Sequence, residues 1–412
     1  MTITEMGARA KEAARVLATA GALKEAALLH AAHALWSRRE EILAANAQDL
    51  EAGKAAGLSQ ALLDRLALTE GRIQDMKTAV EEVAKAADPV GRVLSGENRP
   101  NGLRIEKVAV PLGVIGIIYE ARPNVTSDAA ALCLKAGNAV ILRGGKEAIR
   151  SNKAVAGVLR DALEEAGLPA DCVQLVEDTS RQSAQELMGL TQYLDVLIPR
   201  GGAGLIRSVK ENARVPVIET GVGNCHVYVD ASADLDMAAE IIYNAKCSRP
   251  SVCNAIETIL VHQDAAKAAL PKIKARLDEK QVELRGCDRA RAILPGITPA
   301  VEEDWATEYL DYILAVKVVG SLEEALGHIA RYSTGHSECI VTQDYTAAQR
   351  FLNEVDAAAV YVNASTRFTD GGQFGLGAEI GISTQKLHAR GPMGLEQLVS
   401  YKFLIRGSGQ VR

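Results

Sequence analysis

Aromatic residues are scarce in this sequence, since Phe, Trp and Tyr together make up only 4% of its 412 residues. Alanine is abundant by contrast, and it is the strongest helix former. This composition favours helices over a large antiparallel sandwich. Hydrophobic residues make up 48% and charged residues 24%, which is ordinary for a globular protein with a full-sized core. At about 100–200 residues per domain, the length predicts two or three domains.

The chain also lacks any excess of basic charge. Its formal net charge is −6 at pH 7, and it holds no block of about five like-charged Lys and Arg residues. Neither nucleic acid nor an acidic membrane is therefore expected as a partner. No apolar run approaches the ~18 residues of a membrane span. The first stretch, MTITEMGARAKEAARVL, lacks the basic-then-apolar layout of a secretion signal, so the expected location is the cytosol.

Cysteine pairs with the spacing of a metal or redox motif are missing. The number of cysteines is seven, and an odd number in a long chain argues against a disulfide framework. Cys247 and Cys253 lie in the stretch NAKCSRPSVCNA without a nearby His or second Cys pair to complete a zinc site. His30 and His33 share a predicted helix face, but they lack a third ligand nearby. No metal site is therefore predicted.

The order of apolar segments predicts an α/β fold. Residues 1–95 show apolar residues at helical spacing. The run GVIGIIY (113–119) is continuously apolar, which is typical of a strand buried on both faces. Strands and helices then alternate up to a strand expected at VPVIET (215–220), and a second alternating series begins at ETILVH (257–262). Each series predicts a mostly parallel sheet covered by helices.

Two glycine-rich turns follow predicted strands, and each carries a cation. They are ILRGGKEA, with Arg143, Gly144, Gly145 and Lys146, and LIPRGGAG, with Arg200, Gly201 and Gly202. Such turns place backbone N–H groups at a helix N-terminus, where anions bind. Glycine also serves simply to make a tight turn, and that interpretation stays open for either turn alone. Two turns in adjacent units favour a cofactor site, although no G-x-G-x-x-G or Walker A sequence is present.

Cys253 is the candidate nucleophile. A free Cys is most often a small buried residue, and that simple role stays open for Cys253 when it is considered alone. The same role fits Cys133, Cys172, Cys247 and Cys339. Lys246 and Arg249 lie close to Cys253 in the sequence, however, and cations lower the pKa of a thiol and favour the thiolate. A thiolate is an intrinsically strong nucleophile.

Four stretches carry a resemblance to a known family, namely residues 111–148, 197–205, 249–262 and 360–398. On these motifs the chain resembles the aldehyde dehydrogenase superfamily and, within it, the gamma-glutamyl phosphate reductase family. The similarity extends over nearly the whole chain. It implies two parallel-sheet α/β domains plus a small β element. The implied boundaries are 1–100 and 112–226 for a dinucleotide-binding domain, 227–385 for a catalytic domain, and 101–111 and 386–412 for an oligomerisation element.

The resemblance also implies roles for individual residues. Cys253 matches the catalytic cysteine, and Asn124 matches the asparagine that forms the oxyanion hole with the cysteine's own backbone N–H. Asp311 stands where relatives have a glutamate on the nicotinamide ribose, and Glu219 matches the general base of hydrolytic relatives. The implied cofactor-binding residues are Arg143, Gly144, Gly145, Lys146, Arg200, Gly201, Gly202, Glu219 and Asp311.

The implied reaction is the NADPH-dependent reduction of L-glutamyl 5-phosphate to L-glutamate 5-semialdehyde and phosphate, in proline biosynthesis. It would proceed through a thioester on Cys253. Such a reductase needs no activated water, so Glu219 is not expected to be essential. One alternative is an oxidative semialdehyde dehydrogenase that uses Glu219 as its base. Another alternative, of a different class, is a nucleotide-binding protein without catalytic activity.

Substrate-binding residues are expected near Cys253 and in the stretch NASTRF. Arg249 and Lys246 are candidates for the leaving phosphate, and a solvated or structural salt bridge is the equally open alternative. Arg367 suits a carboxylate, or it braces the glycine-rich loop 371–377 instead. The full set of candidates is Arg249, Lys246, Asn363, Ser365 and Arg367.

Charge and the family resemblance also suggest the cofactor and the partners. Arg143 and Lys146 would favour the 2′-phosphate of NADPH over NADH on charge alone. The ribbon GLRIEKVAV and the C-terminal strand SYKFLIRG resemble an element that pairs with a neighbouring subunit in the superfamily. We therefore expect a dimer or larger homo-oligomer. A transient contact with the upstream glutamate kinase is left open.

Overall fold

The computed structural model describes residues 1–412, apart from the side chain of Ala61. The chain divides into two compact units, each with its own parallel sheet, so the predicted α/β class is confirmed. The predicted assignment of cofactor-binding, catalytic and oligomerisation domains stays a prediction. Unit 1 comprises Met1–Thr220, Gly375–Gly381 and Met393–Arg412, and unit 2 comprises Gly221–Phe374 and Ile382–Pro392.

The helices of unit 1 include a run of five at the N-terminus, as predicted for residues 1–95. They are α1 (Ile3–Leu17), α2 (Leu23–Ser37), α3 (Arg39–Ala55), α4 (Gln60–Leu66), α5 (Glu70–Lys85), α6 (Asn124–Lys135), α7 (Ile149–Glu165), α8 (Arg181–Met188) and α9 (Ala203–Asn212). Helix α1 begins with a capping box, in which the Thr2 hydroxyl accepts from Glu5 N and the Glu5 carboxylate accepts from Thr2 N. This exchange satisfies backbone donors that the first helical turn leaves free.

The strands of unit 1 form two separate sheets. They are β1 (Val93–Asn98), β2 (Arg104–Pro111), β3 (Val114–Tyr119), β4 (Ala139–Arg143), β5 (Val173–Leu175), β6 (Val196–Arg200) and, near the C-terminus, β16 (Val399–Arg406). The order β5-β4-β3-β6 makes a parallel sheet. All six residues of β3 are buried, as its continuous apolar run predicted. The buried face of α1 joins β3 and β4 in one apolar cluster.

The carboxyl ends of three parallel strands gather the candidate residues of unit 1 at one edge of the sheet. Strand β3 leads toward Asn124, β4 ends at Arg143, and β6 ends at Arg200. Strand β4 lies on one side of β3 and β6 on the other. The direction in which successive strands are added to the sheet therefore reverses between β3 and β6. Ligands of open parallel sheets bind at such a switch point, outside the carboxyl ends of the strands.

The strand predicted at residues 215–220 is wrong. This segment makes only an isolated bridge between Val217 and Leu197 of β6. Pro216 accepts a hydrogen bond from Leu197 N through its carbonyl oxygen. Proline has no N–H to donate in return, so Pro216 cannot extend this bridge into a ladder along β6.

The second sheet of unit 1 is antiparallel and has the order β1-β2-β16. The predicted ribbon and the C-terminal strand therefore pair with each other along the register from Val399↔Pro111 to Arg406↔Arg104. Strand β16 is an edge strand, and the side chains of Tyr401, Phe403 and Ile405 on one of its faces are exposed. The unpaired backbone N–H and C=O groups of an edge strand are a template for pairing with another chain, and an exposed apolar face increases that tendency.

Unit 2 alternates strands and helices, as predicted. Its helices are α10 (Leu235–Cys247), α11 (Gln263–Asp278), α12 (Asp288–Ile293), α13 (Leu322–Tyr332) and α14 (Tyr345–Glu354). Its strands are β7 (Cys225–Val229), β8 (Ile256–His262), β9 (Glu283–Gly286), β10 (Thr298–Pro299), β11 (Ile313–Val319), β12 (Ser337–Val341), β13 (Ala359–Val362), β14 (Ile382–Ser383) and β15 (Gly391–Pro392).

The sheet of unit 2 is parallel and has the order β10-β9-β11-β8-β7-β12-β13. Every residue of β7 and β12 is buried, which is typical of strands covered on both faces. An apolar cluster joins the central strands to α10 and α11. Among the described residues, no helix combines the length and the apolar character that crossing a membrane requires.

Candidate active site

Cys253 lies on the segment that joins α10 to β8 in unit 2, and its side chain is half-buried. All seven cysteines are thiols outside any disulfide; Cys253 and Cys287 are half-buried, and the other five are buried. A Cβ atom at Gly223 would lie only 1.5 Å from the carbonyl oxygen of Cys253. The same oxygen accepts from the Sγ atom of Cys225 at 3.2 Å. The candidate thiol therefore sits on a backbone segment with no room to shift toward Gly223.

The next residue, Asn254, ties this segment to residues 366–369. Its Nδ2 atom donates to the carbonyl oxygen of Thr369 at 2.9 Å, and its own carbonyl oxygen accepts from the Thr366 hydroxyl at 2.7 Å. Its Oδ1 atom accepts from the guanidinium of Arg367. These bonds hold Arg367 beside the segment that carries Cys253.

Two arginines share this region of unit 2. The Nε atom of Arg367 donates to the Ser248 hydroxyl at 3.1 Å, and the next residue, Arg249, is exposed. Burial first, and then the positive charge of Arg249, lower the pKa of Arg367. A bound anion would relieve the repulsion between the two guanidinium groups, and a guanidinium matches carboxylate and phosphate oxygens well. The region around Cys253 is therefore suited to an anionic substrate.

The other two candidates from NASTRF already have partners within the protein. The side chain of Asn363 accepts from Thr342 N and donates to Thr342 O, both at 2.9 Å. The hydroxyl of Ser365 accepts from Arg367 N at 3.3 Å, and Ser365 itself is buried. These contacts favour a bracing role for both side chains.

Lys246 is the candidate cation whose surroundings differ most from the expectation. Its side chain is fully buried, and its Nζ atom lies 2.5 Å from Oε2 of Glu257, which is also fully buried. Burial lowers the pKa of Lys246. Of the two interpretations left open by the sequence, the geometry favours a structural salt bridge over a phosphate ligand.

Two acidic residues precede β11, and they differ in their surroundings. Asp311 is exposed, and its carboxylate accepts from Tyr312 N at 2.7 Å. Glu308 is half-buried, and its Oε1 atom accepts from Gly223 N at 2.7 Å. Because Gly223 packs on the Cys253 carbonyl, Glu308 is the acid that borders the candidate thiol segment. Burial raises the pKa of Glu308.

In unit 1, Asn124 is the first residue of α6 and is half-buried. Its Nδ2 atom donates to Oδ2 of Asp128 at 2.8 Å. The Ser127 hydroxyl lies 3.3 Å from the other carboxylate oxygen of Asp128 and donates to Asn124 O at 2.9 Å. The amide of the candidate oxyanion residue is thus oriented by a carboxylate one helical turn away.

The turn after β4 places Arg143 and Lys146 differently. The guanidinium of Arg143 donates to the carbonyl oxygens of Thr179 and Ser180, at 2.7 and 3.0 Å. Lys146 is exposed. At Gly144 a Cβ atom would lie 2.2 Å from Nδ2 of Asn152, so packing alone requires glycine there.

The turn after β6 ends in Gly202, which is the N-cap residue of α9 and supplies no side-chain cap. Gly202 N donates to Oε2 of Glu120, the residue after β3, at 2.9 Å. A Cβ atom at Gly201 would approach the Glu120 side chain to 2.7 Å. A carboxylate oxygen therefore occupies the position of an anion at this helix N-terminus, where backbone donors and the helix dipole favour negative charge.

These residues fit the phosphates of a dinucleotide. Apart from the Glu120 carboxylate, the first turn of α9 has open space around it, because a Cβ at Gly204 would meet no atom within 4 Å and one at Gly202 would meet only Glu120, at 3.9 Å. Helix geometry leaves the first N–H groups of α9 without intrahelical partners. Gly202 would present its N–H to a phosphate once exposed Glu120 moved aside.

Glu219 also belongs to unit 1 and is half-buried. Its Oε1 atom lies 3.1 Å from the Nζ atom of Lys210 on α9. The contact is an ion pair between α9 and the segment that follows it.

Sequence reasoning missed Glu308, Asp128 and Glu120. The bond between Glu308 and Gly223 joins residues 85 positions apart, so no local signal points to it. Glu120 meets Gly202 across two neighbouring strands, 82 positions apart. Asp128 could have been found, because an Asn and an Asp four residues apart on a helix face each other.

The comparisons with known proteins agree with this geometry. The profile of the aldehyde dehydrogenase family matches residues 1–300. A gamma-glutamyl phosphate reductase of Moorella thermoacetica is 63% identical over 413 aligned positions, covering 100% of this chain and 99% of the relative. The chain belongs to the gamma-glutamyl phosphate reductases of the aldehyde dehydrogenase family. One from Heliobacterium modesticaldum is 62% identical and covers 98% of each chain.

A solved structure extends the agreement to three dimensions. The crystal structure of the gamma-glutamyl phosphate reductase of Thermotoga maritima is 52% identical, covers 99% of each chain and superposes with a TM-score of 0.98. The predicted family, aldehyde-dehydrogenase-like fold and enzyme class are confirmed. The chain is an oxidoreductase, and its fold is one that binds a nicotinamide cofactor. The relatives give the oxidative alternative no better support.

Proposed function

We propose that this protein reduces L-glutamyl 5-phosphate to L-glutamate 5-semialdehyde, with release of phosphate and with NADPH as reductant. The observation that carries the proposal is the full-length similarity to gamma-glutamyl phosphate reductases. The half-buried thiol of Cys253, on a closely packed backbone segment, supports it. This activity belongs to proline biosynthesis.

In the proposed reaction the Cys253 thiolate attacks the acyl carbon. A bond forms between Sγ and that carbon, and the carbon–oxygen bond to phosphate breaks with its electron pair going to the leaving oxygen. The product is an enzyme thioester. When bound, the nicotinamide cofactor supplies the hydride that lowers the thioester carbon to the aldehyde level. Sγ then departs as thiolate and regenerates the enzyme.

Two N–H donors stabilise the oxyanion in this proposal. They are the backbone N–H of Cys253 and the Nδ2 group of Asn124. Loss of one such donor typically costs ~10²–10³ in rate. The bond from Asn124 to Asp128 uses one of the two Nδ2 hydrogens and leaves the other for the oxyanion.

Anionic groups of the substrate are assigned to the two arginines near the thiol. Arg249 is exposed and is proposed to contact the leaving phosphate, and Arg367 is proposed to bind the substrate carboxylate. Burial first, and then the charge of Arg249, lower the pKa of Arg367, and a bound anion would relieve this repulsion. Asn363 and Ser365 are proposed to hold the Arg367 segment in place through their contacts with protein atoms.

NADPH is the proposed cofactor, held by the edge of the unit 1 sheet. Gly201 and Gly202 at the start of α9 would receive the diphosphate, and the exposed Lys146 would attract the additional 2′-phosphate. The guanidinium of Arg143 would contribute charge from its position on Thr179 O and Ser180 O. The remaining proposed cofactor contacts are Gly144, Gly145, Arg200, Glu219 and Asp311.

A homo-oligomer is also proposed. Edge strand β16 exposes Tyr401, Phe403 and Ile405, at 50%, 57% and 60% of their surfaces. A second copy that paired with β16 would cover these side chains and satisfy the free edge. The cytosolic location and the contact with glutamate kinase stay predictions.

The reverse reaction tests the proposed function. The purified enzyme receives the semialdehyde, NADP and phosphate, and NADPH formation is followed by absorbance. We expect turnover that requires phosphate or arsenate. Turnover that is indifferent to both, and abolished by Glu219→Gln, would instead establish the oxidative alternative.

The role of Cys253 has a matched control within the chain. Cys287 is likewise a half-buried thiol. We expect Cys253→Ser to abolish turnover and Cys287→Ser to retain it. Iodoacetamide should label Cys253 faster than Cys287, and bound substrate should protect Cys253. Equal labelling of the two cysteines, in a protein that shows no turnover with or without Cys253→Ser, would support a binding protein without catalysis.

A further inference from the structure

The carboxylate of Asp128 has no part in the reaction proposed above, yet it contacts the amide of Asn124. Both residues lie on α6, one turn apart, and Nδ2 of Asn124 donates to Oδ2 of Asp128 at 2.8 Å. Pro123, the residue before α6, supplies no side-chain cap. The Asn124 side chain instead bonds along the helix, to the carboxylate one turn further on.

Asp128 itself is held in position. The Ser127 hydroxyl lies 3.3 Å from Oδ1 of Asp128. Asp128 is half-buried between Ser127 and Ala129, which are buried. In addition, Arg200 at the end of β6 contributes an opposite charge that acts on the same carboxylate. These contacts hold the carboxylate of Asp128 in place independently of the Asn124 amide.

An Asn side chain has two nearly isosteric orientations, which differ by a half-turn that exchanges its donor nitrogen and its acceptor oxygen. An oxyanion requires the nitrogen, because an oxygen in the same position would repel it. An ionised carboxylate can only accept hydrogen bonds. It therefore stabilises the orientation in which nitrogen faces Asp128, and it opposes the reverse orientation.

We infer that Asp128 is a positioning residue that holds the Asn124 amide with its nitrogen available to the substrate oxyanion. This inference rests on the proposed function, which assigns Asn124 to the oxyanion. It adds a requirement that Asn124 alone does not carry, namely that Asp128 must be ionised.

Because the orientation of the Asn124 amide depends on the charge of Asp128, it should depend on pH. Burial raises the pKa of Asp128 to about 6, against the opposing effects of the bonds from Asn124 and Ser127 and the charge of Arg200. A protonated carboxyl group gains an O–H donor. It can then donate to the oxygen of the Asn124 amide in the reversed orientation. The favoured amide orientation is thus present above pH 6 and is lost as the pH falls through that value.

The test compares Asp128→Asn and Asp128→Ala with the unmodified enzyme. The control is Asp75→Asn, which replaces an exposed aspartate on α5. We expect kcat to fall about tenfold in both Asp128 variants, less than the ~10²–10³ expected for complete loss of a donor in Asn124→Ala. KM should change by less than about threefold, because ground-state binding does not use the oxyanion contact.

The pH profile separates positioning from a purely structural effect. The acidic fall in kcat near pH 6 should disappear in Asp128→Asn and persist in Asp75→Asn. The rate of Cys253 alkylation over the same pH range reports the thiolate independently and should be the same in all variants. Combining Asn124→Ala with Asp128→Asn should cost no more than Asn124→Ala alone, because the two residues act as one unit.

The oxyanion role of Asn124 and the positioning role of Asp128 are contradicted by different results. If Asn124→Ala retains full kcat, the oxyanion assignment in the proposed function fails. If Asn124→Ala loses activity while a folded Asp128 variant keeps both kcat and the acidic fall, only the positioning role is overturned. Should both Asp128 variants fail to fold, the unmodified enzyme still decides: a kcat that follows the alkylation profile alone would contradict the inference.

Discussion

The Nζ atom of Lys246 and the Oε2 atom of Glu257 are 2.5 Å apart, and both side chains are fully buried in unit 2. The other oxygen of Glu257 accepts from Leu310 N at 3.3 Å. Leu310 has a φ of +57°, in a region that non-glycine residues rarely adopt. The ion pair thus supports the turn that follows Glu308, the acid bonded to Gly223. Its contribution to the site is indirect.

Breaking this pair from one side should destabilise the fold. Lys246→Met leaves Glu257 buried without its counter-charge, and such a change typically costs ~3–5 kcal/mol. Replacing both residues, as in Lys246→Met with Glu257→Leu, should cost less, because no uncompensated charge remains. Urea unfolding with an unchanged m-value measures the difference. Lys153→Met is the control, because its pair with Glu177 is exposed and such pairs contribute ~0–1 kcal/mol.

Gly223 should be intolerant of any side chain. A Cβ atom there would lie 1.5 Å from the Cys253 carbonyl oxygen, so the peptide of Cys253 or that of Gly223 must move. We expect Gly223→Ala to lower kcat at least about tenfold and to change the alkylation rate of Cys253. Gly327→Ala on α13 is the control, since its Cβ would meet no atom within 4 Å. That variant should gain about 0.5–1 kcal/mol of stability, and equal activity of both variants would contradict the expectation.

Buried histidines should make unit 2 sensitive to acid. Burial lowers the pKa of His336 to about 4 and that of His328 to about 2. The unfolded chain therefore takes up protons below pH ~6.5 that the folded protein does not bind. The free energy of unfolding should fall as the pH drops from about 6.5 toward 4, by at most ~1.4 kcal/mol per pH unit for each histidine.

Substitution of His336 isolates its share of this effect. In His336→Asn the slope of unfolding free energy against pH should decrease by about one proton between pH 6.5 and 4. His30→Asn is the matched control, because His30 is exposed and pairs with Glu165 at the surface. Denaturant unfolding at several pH values measures both slopes. Parallel curves for His336→Asn and the unmodified protein would show that His336 is not the group concerned.

The parts of the fold that sequence reasoning predicted are those with a local signal. Strand β3 follows from a continuous apolar run. The catalytic role of Cys253 rests on its cationic neighbours and on the family resemblance, and it stays a prediction. The strand expected at residues 215–220 failed because Pro216 interrupts a pattern that is otherwise apolar and β-branched. Hydrophobic pattern reports burial, whereas a ladder also needs an N–H at each bonded position.

Most of the contacts that shape the candidate site could not be predicted from the sequence. The spacing of Lys246 and Glu257 contains no period that predicts an enclosed ion pair, and the first interpretation of Lys246 assigned its charge to a ligand. Glu308, three residues before Asp311, was not singled out, although it is the acid that accepts from Gly223 N. Which of two nearby acids turns inward depends on the conformation of the intervening residues, here including a positive φ at Leu310.

Cofactor preference should depend on Lys146. It is exposed beside the turn that follows β4, so its charge is available to a phosphate group. We expect Lys146→Ala to raise KM for NADPH several-fold and to leave KM for NADH nearly unchanged, since a charge-assisted hydrogen bond is worth about 1.5–3 kcal/mol at most. Initial rates with each cofactor measure the change. Lys153→Ala, on the outer part of α7, is the control, and an equal loss with both cofactors would argue against contact with a 2′-phosphate.

Self-association should depend on one face of β16. Tyr401, Phe403 and Ile405 alternate along this edge strand and are exposed, whereas Lys402 points to the opposite face. A charge buried without a partner in an apolar interface is strongly unfavourable, so Phe403→Glu should shift the protein toward monomers in sedimentation velocity. Lys402→Glu introduces the same carboxylate one residue earlier and should leave the assembly intact. If both variants sediment like the unmodified protein, the exposed face of β16 is not a subunit contact.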